Sequence, residues 1–384
     1  MATVRNLQMY YGATDRYEPL PSTSTRFKVA EAIIKLALAI LESPDGRESV
    51  VKVAKQLILK GNPKSKKNPF VHIYREPLED MGYWVGKFLG SIKDDFPPVY
   101  ISENVAGEAE AERLPWGREL RNYNAAIAGR VFLSKVIIDN MVYAREKHEI
   151  AGNTYNLFKF QMGISVAHEI IHLLTGFLTG ESRPDTPPGV TMDPFGSRDT
   201  GEAGRYWEGI LLGGTVECWT SKSDIMGVRQ SGTPYLFETG HPNSNGWRIS
   251  STYIESFVNG VFSFPIRVSN PADTLTRSNL KRAQSLETSN LRTRRRQRNA
   301  PPTASPAPDH SSASIAYRRL PGNYGQYPVQ TAPVQYYPTQ SSNRVPTYPP
   351  YSESSSNRNY PPQAQPYYPP SSGSSGSYDP YNRR

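Results

Sequence analysis

The chain has 384 residues, one cysteine, 37% hydrophobic residues and a formal net charge of +9. A single cysteine excludes an internal disulfide, and with it the stapled scaffolds typical of small secreted domains. Basic and acidic side chains balance through residue 270, so the excess positive charge belongs to the remainder, and any contact with a polyanion is expected there.

Residues 1–25 are polar, with Pro19, Pro21 and a Ser/Thr run, and read as a flexible N-terminal arm. They hold no apolar run of signal-peptide type, which with the lone Cys218 predicts a cytoplasmic or nuclear protein. Over 26–41 the apolar residues Phe27, Ala30, Ile33, Ile34, Ala37, Ile40 and Leu41 recur at helical spacing. Glu31 and Lys35 interrupt this stretch and it is too short for a membrane span, so none is expected. A second amphipathic helix is predicted over 48–59, ended by Gly61 and Pro63, followed by a solvated loop at Lys64, Lys66 and Lys67. A third, over 79–92, carries Met81, Trp84, Val85, Phe88 and Leu89. Residues 99–101 read as a short strand and the acidic stretch 103–112 as an exposed loop. The run 129–133 then reads as a strand leading into a helix through Ile137, Ile138 and Met141.

The stretch His168-Glu169-Ile170-Ile171-His172 organises the rest. Residues four apart share a helix face, so two of the chain's six histidines stack one turn above the other. Two neutral imidazoles supply two of the three protein ligands of a catalytic zinc ion, leaving a place for water. Glu169 then stands where a general base can take that water's proton. Apolar flanks from Phe158 to Leu178 imply a buried helix ending at Gly176 or Gly180. The plainer alternative is a core helix with two incidental histidines.

In this motif the chain resembles the HExxH zinc metallopeptidases of the zincin superfamily. The resemblance implies an α+β fold, mostly helical, with a small sheet whose edge strand precedes the motif helix and lines the cleft. It assigns that edge to residues 130–134, and it implies zinc-dependent hydrolysis of a peptide or protein substrate. The metzincin form needs glycine and histidine where Thr175 and Leu178 stand, so the likeness is to gluzincins, whose third ligand is a later glutamate. Glu202 has another explanation, because Asp199 three residues before it makes a capping box. Glu208 sits among Tyr206, Trp207, Ile210 and Leu211, where a buried carboxylate needs a partner. Glu208 is therefore the predicted third metal ligand, with Glu202 as the alternative and Arg205 able to pair with either. An aspzincin set would use Asp185, Asp193 or Asp199. The clostridial neurotoxin light chains are similar in having such a motif, a later glutamate and a Gly-Gly pair, here Gly213 and Gly214. Pro184, Pro187, Pro188 and Pro194 predict a rigid loop walling the cleft, and Glu217 and Asp224 are candidates for orienting a histidine. Tyr253 is the first candidate for donating to the oxyanion, ahead of Arg248, His241 and Tyr206.

Beyond residue 270 large aliphatic residues thin out, and half of the 24 tyrosines lie after residue 316. Such a segment buries too little apolar surface to offset its ordering entropy, so 271–384 is predicted to be a disordered basic tail. Its Tyr-Pro pairs suit a partner domain, and Arg292, Arg294, Arg295, Arg296 and Arg298 suit nuclear import, RNA or phosphoinositide. The domain reading is an arm at 1–25, a zincin-like domain at 26–270 and the tail. A rival reading is a zincin-fold binding protein without turnover that acts through that tail.

Overall fold

The computed structural model describes residues 3–13, 16–61, 69–105, 107–147, 153–181, 184–219, 231–241, 243–268, 274–276 and 278–279. Ser24 opens α1 (Thr25–Glu42) by accepting a hydrogen bond from the Phe27 N–H. Ser43 ends that helix and caps α2 (Pro44–Leu59), whose leading proline loses no hydrogen bond at a helix start. The predicted apolar stripes are buried in α1, and in α3 (Met81–Asp94) through Trp84, Val85, Phe88 and Leu89.

Five strands form a mixed sheet in the order β2 (Arg16–Pro19), β1 (Met9–Ala13), β3 (Val99–Ser102), β5 (Gly129–Ser134), β4 (Ala109–Arg113). The inner three are parallel and the outer two antiparallel to their neighbours. Side chains alternate as a half-buried sheet requires. Val99, Ile101, Val131 and Leu133 are buried, while Tyr10 stacks on Tyr100 at 5.0 Å and Tyr100 on Phe132 at 5.2 Å on the opposite face.

Three expectations are corrected here. Residues 9–13 and 16–19 are paired strands rather than a flexible arm, because Tyr10 and Tyr17 gain cross-strand aromatic contacts with Tyr100 that no local pattern signals. The acidic loop contains β4, in which Ala109 is buried while the alternating glutamates look outward, a strand pattern with too little apolar contrast to read. β4 in turn covers β5, so the edge beside the motif helix is 109–113 and not 130–134.

After α4 (Ala125–Ala128), β5 and α5 (Lys135–Glu146), the chain enters α6 (Thr154–Thr179), which is buried on every side. By length and apolarity α6 passes as a membrane span, but 94% of its most apolar window is buried within the protein, as for a core helix. It ends at Gly180, whose φ of 70° is the left-handed conformation that glycine adopts without strain. Next come α7 (Ala203–Leu212), β6 (Thr215–Trp219), β7 (Thr233–Phe237), β8 (Asn245–Arg248), α8 (Ser251–Val258) and β9 (Thr274–Thr276). Strands β6 to β9 form a second, antiparallel sheet in sequence order. β9 lies past the boundary expected at residue 270. The rest of the predicted tail, its arginine run and Asp224 lie outside the described residues. The fold is α+β.

Candidate metal centre

On α6, His168 and His172 are 4% and 9% exposed and bring their Nε2 atoms to 3.2 Å. A third polar atom meets them. Glu202 Oε1 lies 2.6 Å from His172 Nε2 and 3.3 Å from His168 Nε2. Ligands at zinc bond lengths of about 2.0–2.1 Å in tetrahedral array stand roughly 3.3 Å apart, so two of these separations already match and the third needs a small opening.

The loop before α7 delivers Glu202. Gly201 N–H donates to the Thr186 carbonyl and Glu202 N–H to the Val190 carbonyl, which folds the chain back over itself. Glu202 is itself the N-cap of α7, its Oε2 accepting from the Arg205 N–H while Oε1 faces the imidazoles. Capping the helix and facing the imidazoles thus use different oxygens of one carboxylate.

Glu208, the residue predicted as third ligand, is on the other side of the ring. It is 2% exposed, and its Oε1 lies 2.6 Å from His168 Nδ1. Arg205 Nη1 reaches its two oxygens at 2.8 and 3.1 Å. The expectation that a buried carboxylate needs a partner is met by Arg205 and His168. A carboxylate on Nδ1 keeps the proton there and leaves Nε2 as a lone pair.

Lone pairs on His168 Nε2 and Glu202 repel unless a proton or a cation sits between them. Burial opposes charging His168, but Glu202 and then Glu208 outweigh it and raise its pKa to about 10. Burial likewise disfavours ionised Glu202, yet the two histidines hold its pKa well below the usual carboxylate value. For Glu208 burial is outweighed chiefly by Arg205, and the pKa is lowered. The set is built to surround positive charge, and it consists of the nitrogen and carboxylate donors zinc takes.

Glu169 is 6% exposed, with a carboxylate oxygen within 4.8 Å of a ring nitrogen of each histidine. Its Oε2 accepts a 2.7 Å hydrogen bond from the Ala111 N–H, at the edge strand β4. Burial raises its pKa against the pull of the histidines, the direction that suits a proton acceptor working nearer neutrality. Arg113, at the end of β4, donates to Thr175 Oγ1 and to the Pro184 carbonyl at 3.0 Å, joining edge strand, motif helix and loop. Neither Ala111 nor Arg113 is legible as a site residue, since a backbone donor leaves no mark in sequence and burial of Arg113 depends on the fold.

Tyr253 is not at the centre. Its hydroxyl donates to the Ser263 carbonyl at 2.9 Å, and its ring lies against Phe160, two turns before His168 and so roughly 12 Å down the helix. Arg248 lies on β8, Tyr206 on α7, and His241 pairs with Asp193 at 2.7 Å on the surface. Of the other alternative aspartates, Asp199 is exposed and Asp185 precedes Thr186 in the folded-back loop. Glu217 lies on β6 and not on His168, whose Nδ1 faces Glu208. A cavity of about 240 Å³ between α2 and α7, lined by Asp45, Glu48, Lys52, Ile210, Leu211 and Phe264 among others, includes none of the centre's residues.

Comparison of the chain with protein-family models, with characterised proteins and with solved structures finds no match.

Proposed function

We propose that the chain is a zinc-dependent peptide hydrolase of zincin-like build, with His168, His172 and Glu202 holding the metal and Glu169 as general base. The observation that carries this reading is the meeting of two Nε2 atoms and Glu202 Oε1 within 3.3 Å, beside a buried glutamate. Zinc bound there supplies a Lewis acid that activates water and polarises a carbonyl near neutral pH. Glu169 removes the water's proton and passes it to the leaving amine. Glu208 and Arg205 hold the His168 ring in the tautomer that offers Nε2. β4 is the outer strand of its sheet, and its backbone next to Glu169 can pair with an extended substrate.

The test is zinc content of the purified full-length protein and digestion of a peptide library with and without chelator. Glu169→Gln should retain zinc and lose turnover by roughly 10²–10⁴-fold. A Glu169→Gln protein that cleaves at the normal rate defeats the proposal. If zinc binds and no peptide is cleaved, the binding-protein reading takes its place.

A further inference from the structure

The residue between the Glu202 ligand and Arg205 that touches the centre is a glycine. A Cβ built on Gly204 would stand 2.4 Å from His168 Cδ2, 2.4 Å from Nε2 and 2.5 Å from Cε1, far inside any real carbon contact. Those distances put it over the ring, so the backbone of α7 lies directly on the imidazole. The ring has little room to yield. Its Nδ1 is tied to Glu208 and its Nε2 faces Glu202, two residues on the same helix on either side of Gly204.

We infer that Gly204 is a positioning residue: its missing side chain lets α7 lie on His168, so that one rigid helix brings Glu202 to Nε2 and Glu208 to Nδ1 together. Any side chain at 204 must lift the helix or turn the ring, and either motion opens the Nε2 and Nδ1 contacts at once. Alanine ordinarily favours a helix over glycine, most in its interior and less in the first turn where Gly204 sits, so propensity alone predicts no loss of stability from Gly204→Ala. The same helix supplies a control. A Cβ on Gly209 would meet only Met192 Sδ at 3.4 Å and Cγ at 3.8 Å, ordinary contact.

The inference rests on the reading that this centre binds zinc, and the experiment separates the two. Zinc affinity of the full-length wild type, Gly204→Ala and Gly209→Ala is measured by competition with a chromogenic chelator, alongside thermal melts of each chelated protein. Tenfold or greater weakening in Gly204→Ala, with Gly209→Ala unchanged, is expected, matching what displacement of a ligand's orienting partner costs. Equal affinity in all three overturns the inference while leaving the zinc reading intact. No zinc bound by the wild type defeats the zinc reading and the inference with it. Should Gly204→Ala not fold, it is combined with His168→Ala. Recovery of the His168→Ala melting temperature supports a clash with the ring, and continued failure to fold overturns it.

Discussion

The two nitrogens of His168 open onto opposite kinds of surroundings. On the Nδ1 side Glu208 is closed off by Arg205 and the ring, each charge answered by an opposite one. On the Nε2 side a second imidazole nitrogen and a carboxylate oxygen crowd together, and the nearby Arg205 side chain hydrogen-bonds Glu208 instead. Under the proposed function, the contrast separates a buried carboxylate that braces the ring from a half-buried one that holds the metal. Glu208 is the more deeply buried of the two, with its side chain 2% exposed against 20% for Glu202. What distinguishes them is whether a protein cation already answers the charge.

The largest expected effect lies on the unanswered side: Glu202→Ala should abolish stoichiometric zinc binding in a dialysed sample. Glu208→Ala should weaken zinc by about 10–100-fold without abolishing it, since it loosens the ring and removes no ligand. The reverse ranking in chelator competition would break the contrast. A pH experiment sharpens it. In chelated protein His168 has a folded pKa of about 10 against 6.5 for the free group, so its contribution to stability is complete below pH 6.5 and is lost as pH rises through 10. Melting temperature of the chelated wild type should therefore fall across that window more steeply than that of His168→Gln, and saturating zinc should flatten the difference. The smallest effect belongs to a residue on neither side. Tyr253→Phe deletes one hydroxyl hydrogen bond worth about 1 kcal/mol and should leave zinc affinity and turnover within twofold, read by melting and by assay.

The helices and the placement of the motif were legible because their signals are periodic or local. α1, α2 and α3 follow their apolar spacing, and His168, Glu169 and His172 are fixed by the helix that carries them. Long-range pairing was not legible. β1 and β2 draw on Tyr100, some ninety residues away, and β4 is a strand of alternating alanine and glutamate that takes its meaning from β5. That Glu202 rather than Glu208 faces the two Nε2 atoms was not legible for a more specific reason. The capping explanation for Glu202 placed it inside a helix begun at Asp199, whereas the helix begins at Ala203 and Glu202 is itself the cap, with one oxygen to spare. The separation of Tyr253 from the histidines was not legible because reach along a fold is invisible to spacing.

The amide of Ala111 has a lasting consequence for Glu169. Because the group steadying Glu169 is main chain, exchange of the Ala111 side chain leaves the donor in place, and proline is the one replacement that deletes it. Sequence drift along this strand can thus change the side chains of β4 while the Glu169 carboxylate keeps its footing.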